Sequence, residues 1–149
     1  MMIDLSDVRA KVRTIKAPMV PGVEGFLTVE DWSSASDAIE NGDANPPVAY
    51  VSLSREQPEK NRYSSGGRGQ LVRSTISILF CLPAERANGE RADPMEIARG
   101  SIIAALVGFK AKGAQKAFDY AGYSLRAEGG GLVWGEVLVA SSWDLTGPA

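Results

Sequence analysis

Apolar positions recur along the chain in two different rhythms. Leu5, Val8, Val12 and Ile15 are spaced three, four and three apart, which puts them on one face of a helix. Asp4 stands where an N-cap belongs, and Ile3 and Val8 occupy the two positions of a hydrophobic staple. Lys11, Arg13 and Lys16 load the end of this helix with charge that suits its dipole, and Pro18 and Pro21 stop it. A second helix is signalled by Asp93-Pro94-Met95-Glu96, a cap followed by proline at the first helical position. Ile97, Ala98, Ile102, Ala105 and Leu106 form its apolar face, and Gly108 can end it. Its last turns, Ile102-Ile103-Ala104-Ala105-Leu106-Val107, are apolar all round, so this end should be covered on more than one side.

The other rhythm is alternation. Val72, Ile76, Ile78, Phe80 and Leu82 share one parity, with Arg73, Thr75 and Ser77 on the other, which predicts a half-buried strand over residues 71–82 of a sheet with one covered face. Val48-Ala49-Tyr50-Val51-Ser52-Leu53 reads as a strand, and Phe26-Leu27-Thr28-Val29 as a weaker one. Residues 120–127 and 132–140 flank Glu128-Gly129-Gly130-Gly131 and predict a hairpin. A short helical turn is expected between Trp32 and Ile39. Residues 55–69 and 83–92 are polar and read as flexible loops, with 144–149 as a tail. Strands in adjacent pairs rather than alternating with helices predict α+β: a mostly antiparallel, possibly mixed sheet of four to five strands with two main helices packed on one face. The 149 residues read as one domain without repeats.

Composition removes several kinds of chemistry. The chain has no histidine, which takes away the commonest general base and zinc ligand, and one cysteine, which excludes an intrachain disulfide. Cys81 lies in a strand-like run and reads as a small buried thiol. Neither Gly66-Gly67-Arg68-Gly69 nor the later glycine run is followed by a helix or carries the lysine of a phosphate loop. No serine sits in a nucleophile-elbow context, and no carboxylates have calcium-loop spacing. No catalytic, metal or cofactor site is therefore expected. The net charge of −2 shows no basic field for nucleic acid. No basic segment precedes an apolar stretch at the N-terminus, and the longest apolar run is too short to span a bilayer, so neither a signal peptide nor a membrane partner is expected and a cytoplasmic origin fits.

Charge is nevertheless unevenly distributed. Residues 17–54 hold six acids and no Lys or Arg, whereas residues 55–73 hold five bases against two acids. The bland account is two solvated surfaces of opposite sign. The sharper one is head-to-tail association, with Arg55, Lys60, Arg62, Arg68 and Arg73 of one copy meeting Glu30, Asp31, Asp37 and Glu40 of the next. Ile103 and Val107, on the all-apolar end of the second helix, are the candidates for apolar contact between copies.

The order of these elements resembles the tail terminator (tail completion) proteins of long-tailed bacteriophages, the lambda-type minor tail protein family. The resemblance rests on the N-terminal helix with Leu5, Val8 and Val12, the strand led by Pro46-Pro47, the long polar loop and the strand from Val72 to Leu82. It continues through the helix with Ile102-x-x-Ala105-Leu106-x-Gly108 and the closing strand Leu132-Val133-Trp134-Gly135-Glu136-Val137. The resemblance implies a structural role without enzymatic activity: a homo-oligomeric ring, typically of six copies, at the head-proximal end of the virion tail, assembled in the host cytoplasm. Its implied partners are the tail tube protein and the head–tail connector or neck protein, with DNA passing through the lumen without specific binding. A neck or head-completion protein, or a non-viral α+β binding module, stands as the alternative.

Overall fold

The computed structural model describes residues 2–20, 22–32, 38–40, 45–59, 70–83 and 94–145. Helix α1 (Leu5–Arg13) is followed by strands β1 (Thr28–Asp31), β2 (Val48–Pro58) and β3 (Leu71–Pro83). Helix α2 (Pro94–Leu106) and the hairpin strands β4 (Asp119–Gly129) and β5 (Leu132–Asp144) complete the chain. The strands form one five-stranded sheet in the order β1-β2-β3-β5-β4. β1 runs parallel to β2 and every other neighbouring pair is antiparallel, so the sheet is mixed.

α1 is capped where its sequence dictates but ends at Arg13, short of Ile15, Lys16 and the stop expected at Pro18. The Asp4 carboxylate accepts hydrogen bonds from the Ser6 N–H at 2.9 Å and the Ser6 hydroxyl at 2.6 Å, satisfying orphan donors of the first turn. Those hydrogen bonds hold the Asp4 carboxyl below the usual carboxylate range. Val8 and Val12 are fully buried. α2 begins at Pro94 and ends two residues before Gly108, while the expected cap Asp93 lies outside the described residues. Ala98, Ile102 and Leu106 pack with Val8, Val12 and the strand residues Ile76, Ile78, Phe80, Val137 and Val139 into the main core, so both helices cover the same face of the sheet. The segment after α2 is tied back to α1: Asp4 N–H donates to the Lys112 carbonyl, and Lys112 N–H donates to the Asp7 carboxylate, both at 2.8 Å.

Three expectations need correction. The sheet has two covered faces at its centre. Tyr50, Leu79, Cys81 and Trp134 form a second buried cluster opposite the helices, and Trp32 packs against it. The Tyr50 ring stacks on Trp134 at 6.1 Å and meets Trp32 edge-on at 5.8 Å. Strand register explains it, because Tyr50 lies opposite Leu79 while Cys81 lies between Val48 and Trp134. Next, β2 continues through Arg55, Glu56, Gln57 and Pro58, which open the segment expected to be loop. These side chains are exposed, so backbone pairing with Thr75, Ser74, Arg73 and Val72 holds them extended rather than burial. Finally, β5 runs on to Asp144. Trp143, at the margin of the expected tail, is buried opposite Val72 and its indole N–H donates to the Ser74 hydroxyl at 2.7 Å.

The hairpin turn is tighter than its glycine run suggests. β4 includes Gly129, leaving Gly130 and Gly131 as the two turn residues with φ of +60° and +78°, the positive pair that a type I′ turn requires. The far end of α2 is not enclosed within the chain. Ile103 is half-buried, Ala104 is exposed and Val107 is 38% exposed. Among the described residues no helix is long and apolar enough to cross a membrane.

Candidate assembly surface

The polar groups of the interior are engaged with one another. Glu136 is buried on the face of the sheet away from the helices, where its carboxylate accepts from the Ser77 hydroxyl at 2.5 Å and from the Arg126 guanidinium at 2.9 Å. These contacts tie β3, β5 and β4 together and leave the carboxylate satisfied. Desolvation pushes the Cys81 thiol up to about 12, so it stays protonated and poorly nucleophilic at neutral pH. No group of three or more His, Cys, Asp or Glu suited to a metal ion occurs among the described residues.

What the fold offers instead is two unlike sheet margins. At one margin the short β1 pairs only with Val48, Ala49, Tyr50 and Val51 of β2. Beyond it, residues 53–58 of β2 are all exposed, with Leu53 at 40%. This margin carries three of the described charged candidates, Glu30, Asp31 and Arg55. Glu30 and Asp31 are exposed on β1, Glu40 is exposed in the helical turn of residues 38–40, and Arg55 is exposed on β2. Arg73 lies one strand further in, half-buried between Gln57 and Ser142. Asp37, Lys60, Arg62 and Arg68 fall outside the described residues. The acids of β1 and the base of β2 thus share one margin rather than facing each other from opposite sides.

The other margin is β4, an eleven-residue edge strand with two bulges and mostly exposed side chains. Tyr120 is 44% exposed and Leu125 is 54% exposed. Tyr123 stacks on Phe80 at 6.5 Å, and the Arg99 guanidinium of α2 lies 4.5 Å from its ring centroid. Arg99 also donates to the Tyr120 hydroxyl at 3.5 Å. Arg99, Ile103 and Val107 are spaced four apart, and Val107 bridges to Phe118 just before β4. The apolar candidates Ile103 and Val107 therefore border a larger patch with Tyr120, Tyr123 and Leu125. Those three escaped the sequence reading. Tyr120 and Tyr123 are three apart and share a face only through the bulge between them, and nothing local says that this strand is last in the sheet.

The family model described as phage tail terminator protein matches residues 1–139. The chain belongs to the phage tail terminator family. This is a family of structural proteins of the phage tail. Among solved structures, the chain is similar to one titled "Virion of native gene transfer agent (GTA) particle", with 16% identity, a TM-score of 0.53 and coverage of 95% of each chain. At that identity the likeness establishes a shared fold, and it extends over nearly the whole of each chain. No curated protein matches the chain. The family resemblance read from the order of helix, strands, helix and hairpin is thereby upheld.

Proposed function

We propose that copies of this chain close into a ring, typically of six, at the head-proximal end of the tail, where the ring caps the tail tube and stops its polymerisation. The ring offers the surface that meets the head–tail connector or neck protein, and DNA passes through its lumen without specific binding. The match of the tail terminator family over residues 1–139 carries this reading. Two features of the fold favour it. A sheet whose two margins differ is suited to head-to-tail contacts, which close into rings when the rotation allows. A net charge of −2 suits a passage that must not hold DNA, since each phosphate neutralised by a cation adds salt-sensitive affinity.

Between copies, Arg55, Lys60, Arg62, Arg68 and Arg73 reach the acids Glu30, Asp31, Asp37 and Glu40, and Ile103 and Val107 add apolar contact. The direct test mixes the protein with polymerising tail-tube subunits and measures tube length. Tubes of limited, uniform length support capping, and unchecked growth refutes it. Reversing Arg62 and Arg68 together to glutamate should weaken assembly by light scattering, more strongly at low salt. An unchanged mass would remove the charge contact.

A further inference from the structure

We propose that neighbouring copies join strand to strand, with β4 of one copy pairing antiparallel to residues 52–58 of β2 in the next, so that the sheets run on from subunit to subunit. The inference rests on the ring reading and specifies its contact. Among the described residues no strand pairs with the outer side of β4 or with residues 52–58 of β2 beyond the end of β1, and sheet edges of this kind are ones that proteins cover or blunt when they are not used. Strand direction permits the join. β2 is antiparallel to β3, β3 to β5 and β5 to β4, so β4 runs opposite to β2, and a second copy continuing the sheet meets it antiparallel.

Side-chain faces agree as well. On β4, Tyr120, Tyr123 and Leu125 lie in register with Val139, Val137 and Gly135 of β5. On β2, Leu53, Glu56 and Pro58 lie in register with Ile76, Ser74 and Val72 of β3. All these positions belong to the face that carries the helices, because Ile76, Val72, Val137 and Val139 are members of the core beneath them. Each strand also carries one bulge within the run, between Leu53 and Arg55 on β2 and between Tyr120 and Gly122 on β4. Setting Leu53 beside Leu125 therefore brings Pro58 beside Tyr120, covering four exposed apolar side chains in two pairs. The α2 stripe of Arg99, Ile103 and Val107 extends the same patch above the joined strands.

The neighbour's β1 ends beside this join, with Asp31 exposed at its end. The second bulge of β4, between Leu125 and Ala127, falls where the join passes from β2 to the end of that β1.

The test is a paired-cysteine cross-link in the full chain. Leu53→Cys and Leu125→Cys are combined in one variant, each single variant serving as control, while native Cys81 is buried and does not compete. The proteins are treated with a short bis-maleimide, free at high concentration and bound to tail tubes. A ladder of covalent oligomers that ends at the ring number, seen with the double variant and absent from either single one, is the expected result. Assembly by light scattering without a ladder overturns the strand join and leaves the ring reading standing. Failure of the wild-type chain to assemble both in solution and on tubes overturns the ring reading and the join with it. Leu125→Asp provides a second readout: it keeps the wild-type melting temperature and loses assembly, and assembly at the wild-type level contradicts the join.

Discussion

Truncating Trp143 to alanine tests whether the C-terminal end of β5 is an integral part of the sheet. The residue is 4% exposed and packs in the main core opposite Val72. An aromatic side chain of this size buries about 150–250 Å², which at ~25 cal/mol per Å² amounts to about 4–6 kcal/mol as an upper bound. Core Trp→Ala truncations, in which part of the cavity collapses, cost about 3–5 kcal/mol. A second contribution comes from Ser74, which is buried and whose hydroxyl oxygen accepts from the indole N–H at 2.7 Å. Trp143→Phe keeps an aromatic ring but removes the N–H, leaving the oxygen without its donor for about 1–3 kcal/mol on top of a smaller cavity cost. Urea unfolding followed by circular dichroism should show the midpoint falling in the order wild type, Phe, Ala, with unchanged slopes. The alanine variant should melt about 6–20 °C lower, at roughly 2–4 °C per kcal/mol for a chain of this size. A loss under about 1 kcal/mol for Trp143→Ala would mean that β5 ends near Ala140, and the docking of its last residues would be wrong.

Gly113 has φ of +91°, and a Cβ there would lie 2.1 Å from the Met2 carbonyl oxygen, so Gly113→Ala should destabilise by more than ~1 kcal/mol in urea titration. Gly100→Ala, in open space on α2, should instead stabilise by up to about 1 kcal/mol, and equal effects at both sites would refute the distinction. Asp4 has a folded pKa below its unfolded one, chiefly through Ser6, so its contribution is present above the unfolded value and is lost as pH falls through the folded value. Asp4→Asn should therefore flatten the acid limb of a melting-temperature profile below the usual carboxylate range, and an unchanged limb would count against this cap. With its thiol pushed up to about 12 and buried, Cys81 should resist maleimide at pH 8 in the native protein and react in urea. Fast labelling of the native chain would contradict its burial.

How much was legible in the sequence follows from which interactions are local. The helix faces were, because Val8 and Val12, or Ala98 and Ile102, repeat at the helical period and the caps sit beside them. The turn at Gly130 and Gly131 was close to legible, since only glycine adopts that pair of positive φ angles easily. Less was visible where strand register does the work. Trp32, Tyr50 and Trp134 are far apart in the chain and share no period, yet pairing stacks them into a second core. Arg55, Glu56 and Gln57 have no apolar pattern at all, and the ladder to β3 alone makes them strand. The assembly surface divides the same way. Ile103 and Val107 stood out because an all-apolar helix end is locally conspicuous. Tyr120, Tyr123 and Leu125 did not, because their exposure depends on β4 being last in the order β1-β2-β3-β5-β4. The charge asymmetry was visible in the sequence, but the fold sets Glu30, Asp31 and Arg55 on one margin and Arg73 one strand further in.

The most direct measurement is electron microscopy of virions carrying this chain with a gold or antibody label on its exposed surface. Label confined to a closed collar where each tail meets its head is the predicted picture. Label spread along the shaft, gathered at the distal tip or absent from finished particles would contradict it.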